Sequence, residues 1–498
     1  MTRASLGGQL LRRRTIGMLV AEAGQSSEGS ATLGRHLSMI QLAMISVGAT
    51  LGTGILALLA EQIPHAGPGI WMSVLLAAVP ALLSALSYAE MAGAVPVSGS
   101  SYSYAYVTLG EGVAWVVGWC LVLEYGVSVA AVASGAGQYV DETLAIFGLS
   151  LPAAIASDPS AEGGVFNLSA FLLVILAMVL LLRGVREAAW INTVLVALKV
   201  GVLLFFSAVA FTAFRVDHFD GMFDAFFPGV TGAAAVLFFS YIGFDAASTA
   251  GEEARDPARD LPRAILLGMG LVTAIYVVVA IAAVGAREAP WFRDHGLVTV
   301  LAEVTGQPWF GVVFSIGALI AFASIVLTVL YGQTRILLTM SRDGLVPRVF
   351  GRISPTTRTP VAGTLITGAV IAVAAGIVPL GELANATSIG TFAAFTVVNV
   401  AVIVLRYRRP DLPRTYRVPL FPVVPVLGAV TCLALMTQLS GGTWIAFGCW
   451  MAVGIAIYLA YGRRHSRIGA LDERAYRAAI AGEASGFRAA PRAGRLPG

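Results

Sequence analysis

The sequence predicts an all-α integral membrane protein with twelve transmembrane helices, of which the first and the sixth are broken. Its composition is apolar, with 57% hydrophobic and 12% charged residues and a mean hydropathy of +0.81, which soluble domains do not show. A membrane-spanning helix needs about 20 apolar residues, and twelve apolar segments fit in the 498 residues. Glycines and polar residues interrupt two of these segments.

The less frequent residue types argue against several other classes of protein. Three cysteines lie singly in apolar segments and predict no disulfide framework. Five histidines are scattered, so neither a metal site nor another cofactor is predicted. The net charge of +4 comes from arginines in loops and does not predict nucleic-acid binding. The chain shows no serine–histidine pair and no phosphate-binding loop, so we do not predict an enzyme.

The twelve apolar segments leave polar arms at both ends of the chain. Residues 1–37 are predicted to be a mostly disordered cytoplasmic arm, and residues 463–498 an arginine-rich cytoplasmic tail. The polar and aromatic stretch 98–106 predicts a short interfacial or re-entrant helix. The segments lie at 38–60, 67–93, 112–140, 167–184, 188–213, 230–250, 263–285, 308–337, 360–379, 383–405, 420–439 and 442–462.

The arginines predict the orientation in the membrane, because cytoplasmic loops are enriched in Lys and Arg. Only Arg215, Arg287 and Arg293 fall in the loops on one side. All other arginines fall in the two arms, in the loops on the opposite side, or in the segment ends next to those loops. Both termini are therefore predicted to be cytoplasmic.

Two interruptions are the most informative feature of the apolar segments. The first lies at residues 47–55 and contains Gly48, Gly52 and Gly54, and the second lies at residues 239–245. Unwound backbone is tolerated in lipid only where it faces protein or a polar cavity. Two broken helices in matching positions of two halves point to the binding site of a transporter. Close helix packing through small residues is the alternative explanation for either stretch alone.

Four ionisable residues stand out inside apolar segments, where charge is costly and functional roles are common: Glu90, Glu124, Lys199 and Asp245. Lys199 is the only lysine among 32 basic residues. Arginine keeps its proton in proteins, whereas a buried lysine loses it readily. The lone lysine therefore predicts a group that must deprotonate. A buried ion pair that only orients helices is the alternative for each residue, and Glu90, near a segment end, is equally suited to a solvated or capping role.

These features suit a zwitterionic ligand. The N–H groups of a half-helix N-terminus, with the Thr53 hydroxyl, would bind a carboxylate. Carbonyls left unpaired where a half-helix ends would bind an ammonium. Lys199 would load and release a proton near neutral pH, or would occupy, as an ammonium, the place that Na⁺ takes in a related site.

Four motifs carry a resemblance to a known family. They lie at residues 48–55 (GATLGTGI), 238–257 (FFSYIGFD running on to EEARDP), 330–345 (LYGQTR running on to MSRDGL) and 409–413 (RPDLP). Together they resemble the amino acid–polyamine–organocation (APC) superfamily, and within it the cationic amino acid transporter branch with its bacterial proton-coupled permeases. The resemblance covers about residues 35–462.

The resemblance implies a LeuT-like fold of five-plus-five inverted repeats, at residues 38–213 and 230–405, with two extra helices within 406–462. It implies that the substrate lies between the broken first and sixth helices. The ligand carboxylate would meet Thr53 and the amides around Gly54. The ammonium would meet backbone carbonyls of both breaks. The residues implied in substrate binding are Thr50, Gly52, Thr53, Gly54, Phe239, Ile242 and Leu327.

The same resemblance implies roles around the site. Lys199 matches a fifth-helix lysine that similar proton-coupled members place where sodium-coupled relatives bind Na⁺, and Glu124 matches a third-helix glutamate. Leu327 would line the side-chain pocket, and a leucine there favours small or medium neutral amino acids over cationic ones. Phe239 matches an aromatic gate, and the residues implied in support or gating are Glu124, Ser240, Tyr241, Gly243 and Asp245.

The sequence therefore predicts a secondary transporter: a proton-coupled symporter of small or medium neutral L-amino acids in a bacterial-type inner membrane, working by alternating access. Its partners would be the amino acid, protons and the lipid bilayer, with a proton gradient in place of a cofactor. Three alternatives stay open. They are an amino acid or polyamine antiporter, a cationic amino acid carrier, and a sensor that keeps the site without turnover.

Overall fold

The computed structural model describes residues 6–15, 37–52, 54–95, 99–182, 189–223, 226–249, 254–354 and 360–470. These residues are largely helical, and the β-pairing among them is one isolated bridge between Leu37 and Ala254. In chain order the α-helices are α1 Leu6–Leu10, α2 Met39–Thr50, α3 Leu59–Ala66, α4 Ile70–Ala94, α5 Ser100–Thr108, α6 Glu111–Ile146, α7 Ala153–Ala156, α8 Leu168–Leu182, α9 Ala189–Ala210, α10 Thr231–Leu237, α11 Ala246–Thr249, α12 Pro257–Ala286, α13 Leu297–Thr305, α14 Pro308–Arg342, α15 Val361–Ile377, α16 Leu380–Arg408, α17 Val423–Met436, α18 Gly441–Ile457, α19 Arg463–His465 and α20 Arg467–Ala470.

Eight helical stretches of the described chain are long and apolar enough to cross a membrane. Four shorter apolar helices, α2, α8, α15 and α17, accompany them. Each of the twelve predicted segments overlaps at least one of these elements, so the all-helical membrane class is confirmed. The eight stretches are Gly54–Ala94, Glu111–Ala145, Thr193–Ala213, Pro228–Thr249, Pro257–Ala286, Pro308–Arg342, Leu380–Arg408 and Gly441–His465.

Local chemistry explains where α2 begins and ends. The Ser38 hydroxyl accepts from the Gln41 backbone N–H at 3.4 Å, and Gln41 Oε1 accepts from the Ser38 N–H at 3.0 Å, which is a reciprocal capping box. The helix ends at Thr50 because Leu51 has extended backbone (φ −70°, ψ 102°). An ended helix leaves its last carbonyls without helical partners, and here they lie in the middle of the first predicted span.

Helices α9, α12 and α14 pack against α2. Helices α6 and α14 pack against each other, and α8, α15 and α16 also contact α6. Helix α12 packs against α4 and α2. Helix α9 connects the two groups, because it contacts α2, α12 and α14. The break after α2 therefore faces protein on several sides.

Residues 6–15 differ from the disordered arm that the sequence predicts. Arg14 makes a buried ion pair of 2.7 Å with Asp343, which follows α14. Arg12 donates to the Ile468 carbonyl at 2.8 Å. These partners lie 329 and 456 positions away along the chain, so no local pattern could reveal them.

Glu111, the first residue of α6, connects the first and last described segments of the chain. Its carboxylate is fully buried and accepts hydrogen bonds from Gln9 Nε2 at 3.1 Å and the Tyr106 hydroxyl at 3.0 Å. It also accepts from the Tyr458 hydroxyl at 2.8 Å and the Ser466 hydroxyl at 2.5 Å. Four donors from separate parts of the chain offset the cost of burying a carboxylate. The described residues around Gln9 and Ser466 are thereby held against α5 and α6.

Candidate functional site

The first break separates α2 from α3. After Thr50 the chain bends at Leu51 and Gly52, then resumes as a single π-helical turn, Gly54–Leu58, that runs into α3. Thr53 lies outside the described residues, so its contact with a carboxylate stays a prediction. The described residues of the break are buried, the setting in which a membrane protein can leave backbone unwound.

The second break separates α10 from α11. Helix α10 tightens into a 3₁₀ turn at Phe238–Tyr241, and the chain then turns through residues 242–245. Gly243 has φ +110°, a backbone conformation that favours glycine. The interruptions predicted at both stretches are therefore present in the structure.

The two breaks touch each other through their glycines. A Cβ atom on Gly54 would overlap the backbone of Ser240. A Cβ atom on Gly243 would lie 2.6 Å from the carbonyl oxygen of Ala49. Close packing through small residues, the alternative explanation for these glycines, is therefore present together with the breaks. The same glycines accommodate both the unwound backbone and the close contact.

Two aromatic residues of the second break are buried. Phe239 is 5% exposed, and its carbonyl accepts from the Ile242 N–H at 3.2 Å. The Tyr241 hydroxyl donates to the Val74 carbonyl of α4 at 3.1 Å. These contacts hold the 3₁₀ turn against the rest of the bundle. The gating and substrate roles of these residues stay predictions.

Tyr276 of α12 connects the two breaks, and sequence analysis did not single it out. Its hydroxyl lies 2.8 Å from the Thr50 carbonyl and 2.9 Å from the Ser240 carbonyl. A tyrosine hydroxyl has one proton, so the two carbonyls share it. The sequence did contain a hint of this role, because Tyr276 lies in an apolar segment. A buried tyrosine hydroxyl usually finds a hydrogen-bond partner.

We expect Tyr276→Phe to lower the melting temperature and the transport rate, because two buried carbonyls lose their shared donor. Loss of such a donor costs about 1–3 kcal/mol. Thermal unfolding in detergent and uptake into proteoliposomes would measure both effects. The control is Tyr461→Phe. It also removes a tyrosine hydroxyl, but from a half-buried residue outside the breaks. Equal melting temperatures for the two variants would contradict the expectation.

Lys199 of α9 reaches the first break. Its Nζ donates to the Gly48 carbonyl at 3.1 Å, and the residue is 4% exposed. In an uninterrupted helix the Gly48 carbonyl would accept from the N–H of Gly52, so the break makes this oxygen available. The only lysine of the chain therefore lies on a carbonyl that the break exposes.

Glu124 and Asp245 are buried carboxyl groups, with exposures of 1% and 0%. The Ser100 hydroxyl of α5 donates to Asp245 Oδ2 at 3.0 Å. In the described part of the chain, Asp245 Oδ1 and both carboxylate oxygens of Glu124 have no hydrogen-bond partner. The alternative of a buried ion pair is therefore not supported for these two residues.

Glu90 differs from the other two acids, because it does form a buried ion pair. It is 1% exposed and forms ion pairs with Arg406, in the last turn of α16, and with Arg414, in the α16–α17 connection. The prediction that Glu90 could be solvated is wrong, because its carboxylate is buried against arginines. The nearer of these along the chain, Arg406, lies 316 positions away. Glu90 therefore holds helices together outside the two breaks.

Leu327 lies on a different face of α14 from the residue that meets the first break. That residue is Ile325, since a Cβ atom on Gly52 would lie 2.6 Å from Ile325 Cδ1. Two positions along an α-helix separate side chains by about 200°. Leu327 is half-buried, and its place in a substrate pocket stays a prediction.

Comparisons with known proteins bear on the family of the chain. A family model described as amino acid permease matches residues 37–461. The chain is 40% identical over 466 residues to the branched-chain amino acid permease BcaP of Bacillus subtilis, covering 93% of this chain and 99% of that protein. It is 38% identical over 459 residues to the methylthioribose transporter of Bacillus subtilis, covering 92% and 98%. It is 35% identical over 399 residues to cationic amino acid transporter 4, vacuolar, of Arabidopsis thaliana, covering 77% and 65%.

The matched region includes α2 to α18, and with them both breaks, Lys199, Glu124 and Tyr276. The relatives are named as transporters and permeases, which indicates a multi-pass membrane transporter and not an enzyme. The chain belongs to the amino acid permease family, within the amino acid–polyamine–organocation superfamily.

Proposed function

We propose that this protein is a proton-coupled symporter that imports small or medium neutral L-amino acids, the branched-chain ones among them. One observation carries the proposal: the ammonium of Lys199 donates to the Gly48 carbonyl, a group that the first break frees. A lysine can give up its proton and an arginine cannot. The name of the relative BcaP supports branched-chain substrates.

The substrate would lie between the two breaks. Its carboxylate would meet Thr53 and the amides around Gly54, at the N-terminal end of the turn that leads into α3. Its ammonium would meet the carbonyls of Thr50, Phe239 and Ile242. Since Tyr276 already donates to the Thr50 carbonyl, the ammonium would use the second lone pair of that oxygen.

Lys199 would couple the proton to the movement of the first break. When protonated, it holds the Gly48 carbonyl. When the amine loses its proton, the charge-assisted hydrogen bond to this carbonyl is lost, and such bonds are roughly twice as strong as neutral ones. Protonation of Lys199 would therefore favour an arrangement in which α2 lies close to α9. Release of the proton would favour an arrangement in which the two helices are further apart.

The proposed architecture is the twelve-helix, five-plus-five inverted repeat with two extra helices. Alternating access would be a rocking of the bundle that contains both breaks against a scaffold around a fixed site. Arginine-rich arms and loops favour cytoplasmic termini in an inner membrane. Eight long apolar stretches and four shorter apolar helices are compatible with this count.

Uptake of radiolabelled leucine, isoleucine, valine, alanine and lysine into proteoliposomes tests the proposal. We expect saturable uptake of the neutral substrates that requires an inward proton gradient, and little uptake of lysine. Exchange that ignores the gradient would overturn symport in favour of an antiporter. Uptake of lysine in preference to leucine would assign a cationic carrier, and binding without uptake would assign a sensor.

A second substrate class has specific support, since a relative 38% identical to this chain is named as a methylthioribose transporter. Methylthioribose carries neither a carboxylate nor an ammonium, so it would leave the groups at both breaks unmatched. Excess unlabelled methylthioribose is therefore expected to leave leucine uptake unchanged. Full competition would instead assign the site to the sugar.

A further inference from the structure

The last turn of α16 and the connection from α16 to α17 carry a concentration of positive charge. Five arginines fall within residues 406–417, against one acidic residue, Asp411. The connection joins two apolar helices, so it lies at a boundary between lipid and water whichever leaflet it faces. We call this region the α16–α17 basic surface, made up of Arg406, Arg408, Arg409, Arg414 and Arg417 with the exposed side chains of Tyr407 and Leu420.

Glu90 balances only part of this charge. Arg406 Nε donates to Glu90 Oε1 at 2.7 Å, and Arg414 Nε lies 3.2 Å from the same oxygen. The Val418 N–H donates to Glu90 Oε2 at 2.8 Å. One carboxylate therefore faces two guanidinium groups, and the surrounding arginines add further positive charge.

The arginines of this surface repel one another. Partial burial lowers the pKa of Arg414 below its ordinary value; Glu90 opposes the shift, and repulsion from Arg406 and Arg417 adds to it. Arg408 and Arg417 have exposed side chains. An anion bound beside them would relieve the repulsion. The N-terminus of α17 adds a partial positive charge on the same side.

Apolar side chains stand next to these arginines. Leu420 is 77% exposed and has φ +47°, a conformation that bulky residues rarely adopt. Tyr407 is 70% exposed, and its ring centroid lies 5.8 Å from that of Phe421. Helix α17 continues the apolar surface away from the connection, with exposed residues Val423, Val426, Leu427 and Val430.

We infer that the α16–α17 basic surface binds the headgroup of an anionic phospholipid. Exposed arginines next to an apolar helix face match the two parts of such a lipid, a phosphate and acyl chains. The phosphate would contact the exposed guanidinium groups of Arg417 and of Arg408, whose Nη1 also donates to the Thr108 carbonyl at 3.3 Å. The chains would follow α17 beyond Leu420. Juxtamembrane arginines attract anionic lipids by this mechanism. The inference goes beyond amino acid transport and does not depend on the substrate or on proton coupling.

Native mass spectrometry of the full chain in detergent tests the inference, with phosphatidylglycerol and phosphatidylcholine of identical acyl chains as probes. We expect tighter binding of phosphatidylglycerol. Arg408→Gln/Arg417→Gln should weaken it by about fivefold for each arginine removed. Leu420→Asn should weaken both lipids, because asparagine tolerates the left-handed backbone but offers no apolar contact.

The control is Arg342→Gln/Arg348→Gln, which removes two exposed arginines from the C-terminal end of α14 and from the segment that follows it. It changes the net charge equally and should leave phosphatidylglycerol binding unchanged. Equal binding of the two lipids, or equal losses in both double variants, would overturn the inference. Displacement of phosphatidylglycerol by millimolar inorganic phosphate would also overturn it, since the surface would then be a site for a free anion.

Discussion

Proteoliposomes that contain Lys199→Ala are expected to lose accumulation of amino acid driven by a proton gradient. An inward gradient of about two pH units corresponds to a concentration ratio of about 100 for a one-proton symporter. Without the lysine there is no group at the first break to carry the proton, so the expected ratio falls to one. Substrate binding should persist, because alanine removes no residue that the proposal places against the substrate.

Lys199→Arg tests whether a positive charge that cannot release its proton is sufficient for accumulation. Arginine can still donate to the Gly48 carbonyl, but it does not release a proton in proteins. We expect this variant to bind substrate and to lack accumulation. Raising the external pH should reduce uptake by the wild-type protein and leave both variants unaffected. Gradient-driven accumulation by Lys199→Arg would contradict proton coupling through this residue.

The sequence was sufficient for features that depend on local chemistry. Glycines within a few residues of one another in an apolar segment predicted the break after α2, and the structure has it at Leu51 and Gly52. The lone lysine in an arginine-rich chain drew attention to Lys199, which the structure places on the Gly48 carbonyl. Both features follow from residue type and immediate neighbours, so one sequence can reveal them.

Features that depend on distant partners were not predictable in this way. Tyr276 lies 226 positions from Thr50 along the chain, and an apolar segment does not show which tyrosine meets a carbonyl. Glu111 lies at a helix start, where an acidic residue is common, yet it accepts hydrogen bonds from Gln9 and Ser466, which lie far from it along the chain in opposite directions. Its partners become visible only once the helices are packed.

The partners of the acidic residues in the apolar segments could not be predicted from the sequence either. Glu90 and Glu124 both lie inside apolar segments of the sequence, and in the structure each is 1% exposed. Glu90 has Arg406 and Arg414 beside it. Glu124 has no hydrogen-bond partner among the described residues. Tertiary packing thus makes one carboxylate part of an ion pair and leaves the other available for a functional role.

Gly243→Ala is expected to be severely destabilising. The residue has φ +110°, and a side chain held in such a conformation costs about 1–3 kcal/mol. The new Cβ atom would also lie 2.6 Å from the carbonyl oxygen and 2.8 Å from the carbonyl carbon of Ala49. These are backbone atoms of α2 and cannot rotate away, and overpacking of this kind costs about 1–3 kcal/mol more. The two breaks would be forced apart, so folded yield, melting temperature and leucine uptake should all fall.

Gly270→Ala, in α12, is the matched control for this substitution. No heavy atom lies within 4 Å of the position of its new Cβ, and alanine is favoured over glycine in a helix by about 1 kcal/mol. We expect its melting temperature to be unchanged or raised and its uptake to be retained. If Gly243→Ala kept the melting temperature and uptake of this control, the close contact between the breaks would not be needed for folding or transport. A variant that folds normally but no longer accumulates leucine would instead show that transport, and not stability, requires the breaks to approach each other this closely.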